Sequence, residues 1–210
     1  MFTCDDDMGS DATDLFNYLT GYSTKNTYKK LLVAPVNLRQ QMEALIRREI
    51  AHAAAGNKAR IILKMNSLVD MDMIQLLYQA SQVGVKIDLI IRGMCCLRPD
   101  VKGVSENIRV TSVVGRYLEH SRIYYFQNNG DDEIYMGSAD LMPRNLNHRV
   151  EVVFPVENKA QVRFLRDKVL GVYLKDNTRA RILQPDGTYQ RAIPAPEEKR
   201  FDVQAHMMGE

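Results

Sequence analysis

The chain contains no tryptophan, three cysteines, four histidines and no apolar run near membrane-spanning length. Each scarcity excludes something. Crossing a bilayer takes about 20 consecutive apolar residues, so neither a membrane-spanning helix nor a secretory leader is expected. Cys4, Cys95 and Cys96 cannot build a disulfide framework, and their spacing fits no common zinc pattern. A reducing cytoplasm is therefore the expected location, with membrane association left open. Lysine plus arginine number 28 against 26 acidic residues, a net charge of only +2. That excess is too small for a non-specific nucleic-acid binder, so any polyanion recognition must be local. With so few histidines, each can be weighed singly. His52 lies among alanines, His148 in a polar loop and His206 in the tail. His120 remains.

What is present suits a soluble α/β protein: 45% hydrophobic and 26% charged residues over 210 positions, enough for one ordinary domain with appendages. A helical run at 11–22, with Ser10 or Asp11 as cap, precedes a Ser/Thr/Asn-rich linker over 21–27. A lone helix with no partner strand before it suggests a piece of a larger protein. Alternation follows: a short strand at 31–35 stopped by Pro35, a helix at 38–55 closed by Gly56, and a strand at 59–65. Then come a helix from Asp70 or Asp72 to Gln82 and a strand at 86–92. Such alternation implies right-handed crossovers and a parallel core for these three strands. After Asn107 the pattern turns to consecutive strands at 108–114, 122–126, 133–136 and 149–155, with a hairpin signal at Asn128-Asn-Gly-Asp131. A last helix at 159–174 and a hairpin around Gln184-Pro-Asp-Gly187 complete the main domain, 28–193. The segment 194–210 is read as a loose tail.

Chemistry concentrates in Tyr117-Leu-Glu-His-Ser-Arg122 and Gly137-Ser-Ala-Asp140. A histidine and a cation two residues apart on a strand share one face, and a small polar tetrad ending the next strand can bring amides and a hydroxyl beside them. His120 alone would read as a hydrogen-bonded structural residue. Glu119, Arg122 and the tetrad around it make it the main candidate. Arg92 ends the third strand just before Gly93, where ligands of open α/β sheets gather, and its guanidinium suits phosphate. Lys64 and Asn66 end the second strand in the same way. Arg144 and Asn145 follow the tetrad and can close the site. Asp140 can orient His120 or Arg122, or cap the following turn. The thiols of Gly93-Met-Cys-Cys-Leu97 read as packing groups, despite Arg92 and Arg98 nearby.

The two blocks resemble the His-x-Lys…Gly-Ser-x-Asn signature of the phospholipase D superfamily, with Arg122 for Lys and Asp140 for Asn. That superfamily needs two half-sites, and this chain has one. Ile91-Arg-Gly-Met-Cys-Cys-Leu-Arg-Pro99, Ser105-Glu-Asn-Ile-Arg109 and Asp176-Asn-Thr-Arg-Ala180 extend the likeness. With them, nearly the whole chain to about residue 191 resembles the C-terminal domain of bacterial polyphosphate kinase. Leu15-Phe-Asn-Tyr-Leu-Thr-Gly-Tyr22 is similar to the end of that family's preceding catalytic domain, which makes residues 1–27 that end with its linker. The resemblance implies a phospholipase-D-like α/β domain with a mixed, mostly parallel sheet flanked by helices. It also implies reversible transfer of the terminal phosphate of ATP to polyphosphate through a phosphohistidine, with magnesium. The phosphorylated histidine belongs to a His-Ala-Lys block of the preceding domain, which is absent here, as are the expected Mg²⁺ ligands.

Carried over by residue, Arg92 matches an ATP-phosphate-binding arginine and His120 a histidine that binds ATP and assists transfer. Lys64, Arg122 and Arg144 are the further phosphate-binding candidates, and no metal ligand is assigned. Expected partners are ATP or ADP, polyphosphate, the N-terminal and first catalytic domains, and further copies in a homo-oligomer, but not nucleic acid. The competing readings are a homodimeric phospholipase-D-like nuclease or lipase, disfavoured by Arg122, Asp140 and the low net charge, and a non-catalytic polyphosphate or nucleotide-binding module.

Overall fold

The computed structural model describes residues 3–24 and 26–209. Helix α1 (Asp6–Leu19) precedes β1 (Leu32–Ala34), α2 (Leu38–Ala54), β2 (Arg60–Met65), α3 (Met71–Gln82), β3 (Lys86–Ile91) and β4 (Ile108–Val113). Then follow β5 (Ile123–Phe126), β6 (Glu133–Gly137), α4 (Pro143–Asn147) and β7 (Glu151–Pro155). A helical run begins as α5 (Lys159–Phe164), passes through a π-helical stretch at Leu165–Leu170 and ends as α6 (Gly171–Tyr173). Strands β8 (Ala180–Leu183) and β9 (Tyr189–Arg191) and helix α7 (Val203–Met208) close the chain.

The strands form one mixed sheet in the order β1-β7-β6-β5-β2-β3-β4-β8-β9, flanked by helices as expected. Its parallel part is confined to β2–β3 and β3–β4, while the other six pairings are antiparallel. The expectation of a mostly parallel sheet thus holds for the centre only. Consecutive strands joined by a short turn must reverse direction, as β5 and β6 do beside β2, and β7 extends that antiparallel flank after α4. The first strand is accordingly absent from the parallel core: β1 pairs antiparallel with β7 at the sheet edge, Leu32 opposite Val153.

Strand alternation supplies two cores. Ile61, Leu63 and Met65 of β2, with Ile87, Leu89 and Ile91 of β3, face α2 and α3. Ile62 and Ile90 face the other way, against Val162 and Leu170 of the long helical run. Lys64 shares the face of Ile62, so period 2 sends a cation into an apolar layer.

Both chain ends depart from expectation. Helix α1 begins five residues earlier than the sequence pattern suggested, capped by Asp5, whose carboxylate accepts from Met8 N–H at 2.9 Å. Asp11 is no cap. It is buried in mid-helix, and its carboxylate accepts the backbone N–H groups of Lys29, Lys30 and Leu31 at 2.7–2.9 Å, tying α1 to the entry of β1. The tail is not loose either. Val203 is fully buried against Val113, Val172 and Ala180, and its N–H donates to Asp176 at 2.8 Å.

Burial pushes the Asp11 carboxyl up, but the amides of Leu31, Lys29 and Lys30 outweigh it and hold the group below its ordinary value. A folded-state value below the unfolded one, about 3.9, gives stability that is present above that pH and lost as pH falls through the folded value. Asp11→Asn should cost about 1–3 kcal/mol near neutrality, and its melting temperature should fall less than the wild type's between pH 5 and pH 3. Parallel acid profiles in the two proteins would discard the anchor.

Candidate functional site at the carboxyl ends of the central strands

The sheet register delivers several loops to one edge. Strands β2 and β3 end together, Met65 beside Ile91. Antiparallel β5 sets Ile123 against Lys64, so the residues just before β5 stand at the same end. Strand β6 pairs Met136 with Ile123, so Gly137–Asp140 emerge there too. The loop after β2 is pinned between its neighbours: Leu68 N–H donates to Met94 O, Cys96 N–H to Leu68 O and Val69 N–H to Leu141 O, at 2.9–3.0 Å. Glycine is required at two contacts. A Cβ at Gly93 would lie 2.9 Å from Asn66 O, and one at Gly137 would lie 2.7 Å from Val153 Cα.

Asp140 is the hub. It is 5% exposed, and its oxygens accept Asn66 N–H at 2.8 Å, Asn66 Nδ2 at 3.1 Å, and Arg122 Nε and Nη2 at 3.2 and 3.3 Å. Asn66 passes the order on, its Oδ1 accepting from Arg92 Nη2 at 2.8 Å and Nε at 3.1 Å. The two arginines therefore converge on one Asn–Asp pair. Of the roles weighed for Asp140, the structure selects orientation of Arg122; Met142 occupies the cap position of α4. Ser138 faces elsewhere, donating to Glu151 and accepting from Val152 N–H at 3.2 Å.

His120 and Arg122 do meet, though not on a strand, since β5 begins at Ile123. Arg122 Nη1 donates to His120 O at 2.9 Å and lies 3.0 Å from His120 Nδ1. His120 is exposed beside this contact. Arg144 is exposed on α4, with no side-chain hydrogen bond or ion pair among the described residues, and stands outside the Asp140 cluster.

Lys64, expected among the phosphate-binding cations, is 2% exposed. Its ammonium lies 3.0 Å from Glu119 Oε2, donates to Ser121 Oγ at 2.9 Å and sits 4.7 Å from the Tyr173 ring centroid. Glu119 also accepts from Tyr173 OH at 2.5 Å and Gln204 Nε2 at 2.8 Å. Burial pushes the Glu119 carboxyl up, but those donors together with Lys64 bring it below its usual range. Burial draws Lys64 down against the pull of Glu119; with three donors on the carboxylate, the pair is ionic. Gln204 adds two bonds to the same loop, Oε1 accepting Tyr117 N–H at 3.0 Å and Nε2 donating to Tyr117 O at 2.9 Å. Sequence reasoning missed Tyr173 and Gln204, because residues so far from His120 in the chain carry no local signal. The Cys95 thiol is pushed up to about 11 by burial, opposite to activation. Among the described residues, no group of three or more His, Cys, Asp or Glu could hold a metal ion, and no helix is long and apolar enough to cross a membrane.

The family model for polyphosphate kinase C-terminal domain 2 matches residues 31–204. The chain belongs to the polyphosphate kinase family. It is 57% identical over 205 residues to a polyphosphate kinase of Synechocystis, covering 98% of this chain and 28% of that protein. A polyphosphate kinase of Pseudomonas aeruginosa is 50% identical over 208 residues, covering 99% of this chain and 30% of that protein. The chain thus spans under a third of these relatives' length. The crystal structure of polyphosphate kinase from Porphyromonas gingivalis superposes with a TM-score of 0.93 at 39% identity, covering 99% of this chain and 32% of that one. Nuc of Salmonella typhimurium, a phospholipase D family member, shares the fold at a TM-score of 0.53 and 14% identity, over 74% of this chain and 97% of that one. The phospholipase-D-like α/β class is borne out.

In this family member, Lys64→Met should cost about 3–5 kcal/mol by leaving Glu119 buried and unpaired. Lys64→Met with Glu119→Gln should recover a large part of that loss in urea unfolding. A double variant as unstable as the single one would remove the ion pair as the reason for the burial.

Proposed function

We propose that this chain forms the C-terminal half of a polyphosphate kinase active site, the other half lying in a preceding catalytic domain whose end is residues 1–27. Reversible transfer of the terminal phosphate of ATP would run through a phosphohistidine in that domain. The observation supporting this most is the convergence of Arg92 and Arg122 on Asn66 and Asp140, with His120 exposed beside Arg122. Two oriented guanidiniums at one sheet edge form a phosphate-binding surface that needs no glycine-rich loop.

In the first half-reaction the nucleophilic histidine attacks the γ-phosphorus; the N–P bond forms and the bond to the ADP oxygen breaks. In the second, a terminal polyphosphate oxygen attacks that phosphorus and the histidine leaves. Charge develops on the transferring phosphoryl oxygens in both, and cations oriented beforehand stabilise it without reorganisation. Arg92, held by Asn66, meets the ATP phosphates. His120 faces the transferring group as a cation or as a proton donor to the leaving oxygen. Arg122 holds His120 and adds its own charge, and exposed Arg144 supplies an outer phosphate contact. Lys64 acts indirectly, neutralising Glu119 and so positioning the loop that carries His120. Magnesium, when bound, supplies charge neutralisation on the phosphates; no residue of this chain is assigned to it, and no step here depends on it. ATP or ADP, polyphosphate, the preceding domains and a homo-oligomeric assembly in the cytoplasm complete the proposal. A homodimeric nuclease or lipase fits less well, since Asp140 is occupied with orienting Arg122 and Asn66.

In the complete enzyme, Arg92→Ala should weaken ATP by about 1.5–3 kcal/mol, roughly 10–150-fold in Kd. Arg92→Lys should recover part of this, since a point charge lacks the planar fork. Wild-type ATP binding in both variants would sink the role. His120→Ala should lower transfer by roughly 10²–10⁴-fold while the melting temperature stays near wild type. His120→Gln at near wild-type rate would reduce His120 to a positioning group. A variant that instead unfolds early but keeps its specific activity would make His120 structural.

A further inference from the structure

Asp176-Asn-Thr-Arg-Ala180 takes no part in the cluster around Asp140. It builds a second feature. Asp176 is buried and accepts the N–H groups of Thr178, Arg179 and Ala180 at 2.7–3.0 Å, plus that of Val203 at 2.8 Å. Asn177 exchanges backbone and side-chain bonds with Phe201 and donates to Lys199 O at 3.0 Å. Residues 176–180 and 199–203 are thereby stitched into two walls. Between them opens a cavity of about 510 Å³, into which Arg179, Arg191, Lys199 and Arg200 bring four positive charges against one carboxylate, Asp202.

Two of these cations are anchored from behind. Arg179 Nε bonds to Asp202 at 2.9 Å, and Arg191 donates through Nε and Nη2 to Thr178 O at 3.0 and 2.9 Å. Both Nη groups of Arg179 and Nη1 of Arg191 have no protein partner among the described residues, and neither have the side-chain nitrogens of Lys199 and Arg200. Four cations around one cavity repel each other unless an anion enters. The lining itself is predominantly cationic, although Glu197 and Glu198 precede Lys199 in the chain and Asp202 pairs with Arg179.

We propose that this cavity binds a segment of inorganic polyphosphate, at a site separate from the Asp140 cluster. This rests on the polyphosphate reading of the function. Anchored guanidiniums suit tetrahedral oxyanions, and the spread of charge suits a chain of phosphoryl groups better than one phosphate. A nucleic-acid strand fits less well, because it calls for exposed stacking platforms, whereas the Phe201 ring packs 5.1 Å from His206. The cavity also adjoins the transfer machinery through α7: His206 lines it, and Gln204 holds the loop bearing His120. A growing chain seated here stays attached to the enzyme between transfers.

The test uses the complete enzyme, end-labelled long-chain polyphosphate in a salt-titrated binding assay, and the length of the first products. Lys199→Glu with Arg200→Glu should weaken long-chain binding about tenfold or more and lower the log Kd–log salt slope by about 1–1.5. Early products should shorten, while kcat/KM for ATP stays at the wild-type value. Lys199→Arg with Arg200→Lys should behave as wild type. If the reversed pair does not fold, Lys199→Gln with Arg200→Gln should show the same loss in smaller degree. Unchanged binding and product length in a folded variant overturn the site. Single-stranded DNA or RNA bound as tightly as polyphosphate, and lost in the same variant, overturns the ligand class. A wild-type enzyme that neither binds nor extends polyphosphate overturns the functional reading as well, which separates that failure from the others.

Discussion

One buried carboxylate holds the candidate site together. Asp140 receives the backbone and side-chain amides of Asn66 and the guanidinium of Arg122, and Asn66 in turn receives Arg92. Three loops, after β2, after β6 and before β5, thus share one anion, and the loop after β3 is attached through its neighbour. The arrangement is economical because each cation is oriented by a group that cannot itself leave. A carboxylate at 5% exposure must keep its donors or suffer the cost of an unpaired buried charge. Small residues let the backbones come this close. At Gly93 and Gly137 the neighbouring chain occupies the space a side chain would need.

A second ionic group performs a different task. Lys64 and Glu119 are both buried, and they bracket the loop of His120 together with Tyr173 from the long helical run and Gln204 from α7. The catalytic candidate is therefore exposed while its immediate chain neighbour is fixed from three directions. Exposure permits contact with a phosphoryl group, and fixation removes the entropy of a loose loop. The C-terminal helix, remote in sequence, belongs functionally to this loop.

Much of the fold was legible locally. Proline and glycine punctuation bounded α2, α3 and their strands, and the Asn128-Asn-Gly130 turn keeps positive φ at all three residues, as its composition requires. The helix boundary of α1 was not legible, because Asp11 looks like a cap until the amides of residues 29–31 are seen beside it. Likewise the last residues read as a loose polar tail; only the burial of Val203 reveals the docking of α7.

The sequence by itself determined the residue types and their strand ends: Arg92 before a glycine, His120 two positions from Arg122, and a small tetrad closing the next strand. Those follow from chemistry and short-range spacing, which also carry the family likeness. It did not decide which strands are parallel. Pairing direction depends on which neighbour reaches the flank of β2 first in space, and the hairpin strand β5 holds it. Nor could it decide the partner of each charge. The apolar neighbours of Lys64 already argued against a plain solvated charge, but only the fold set it on the face of Ile62 beside Glu119. Asp140 left two roles open, orienting His120 or Arg122 and capping the next turn, and the sheet register decided it by carrying the carboxylate to Asn66 and Arg122. Charge partners are chosen by distance after folding, and distance is a property of the tertiary structure alone.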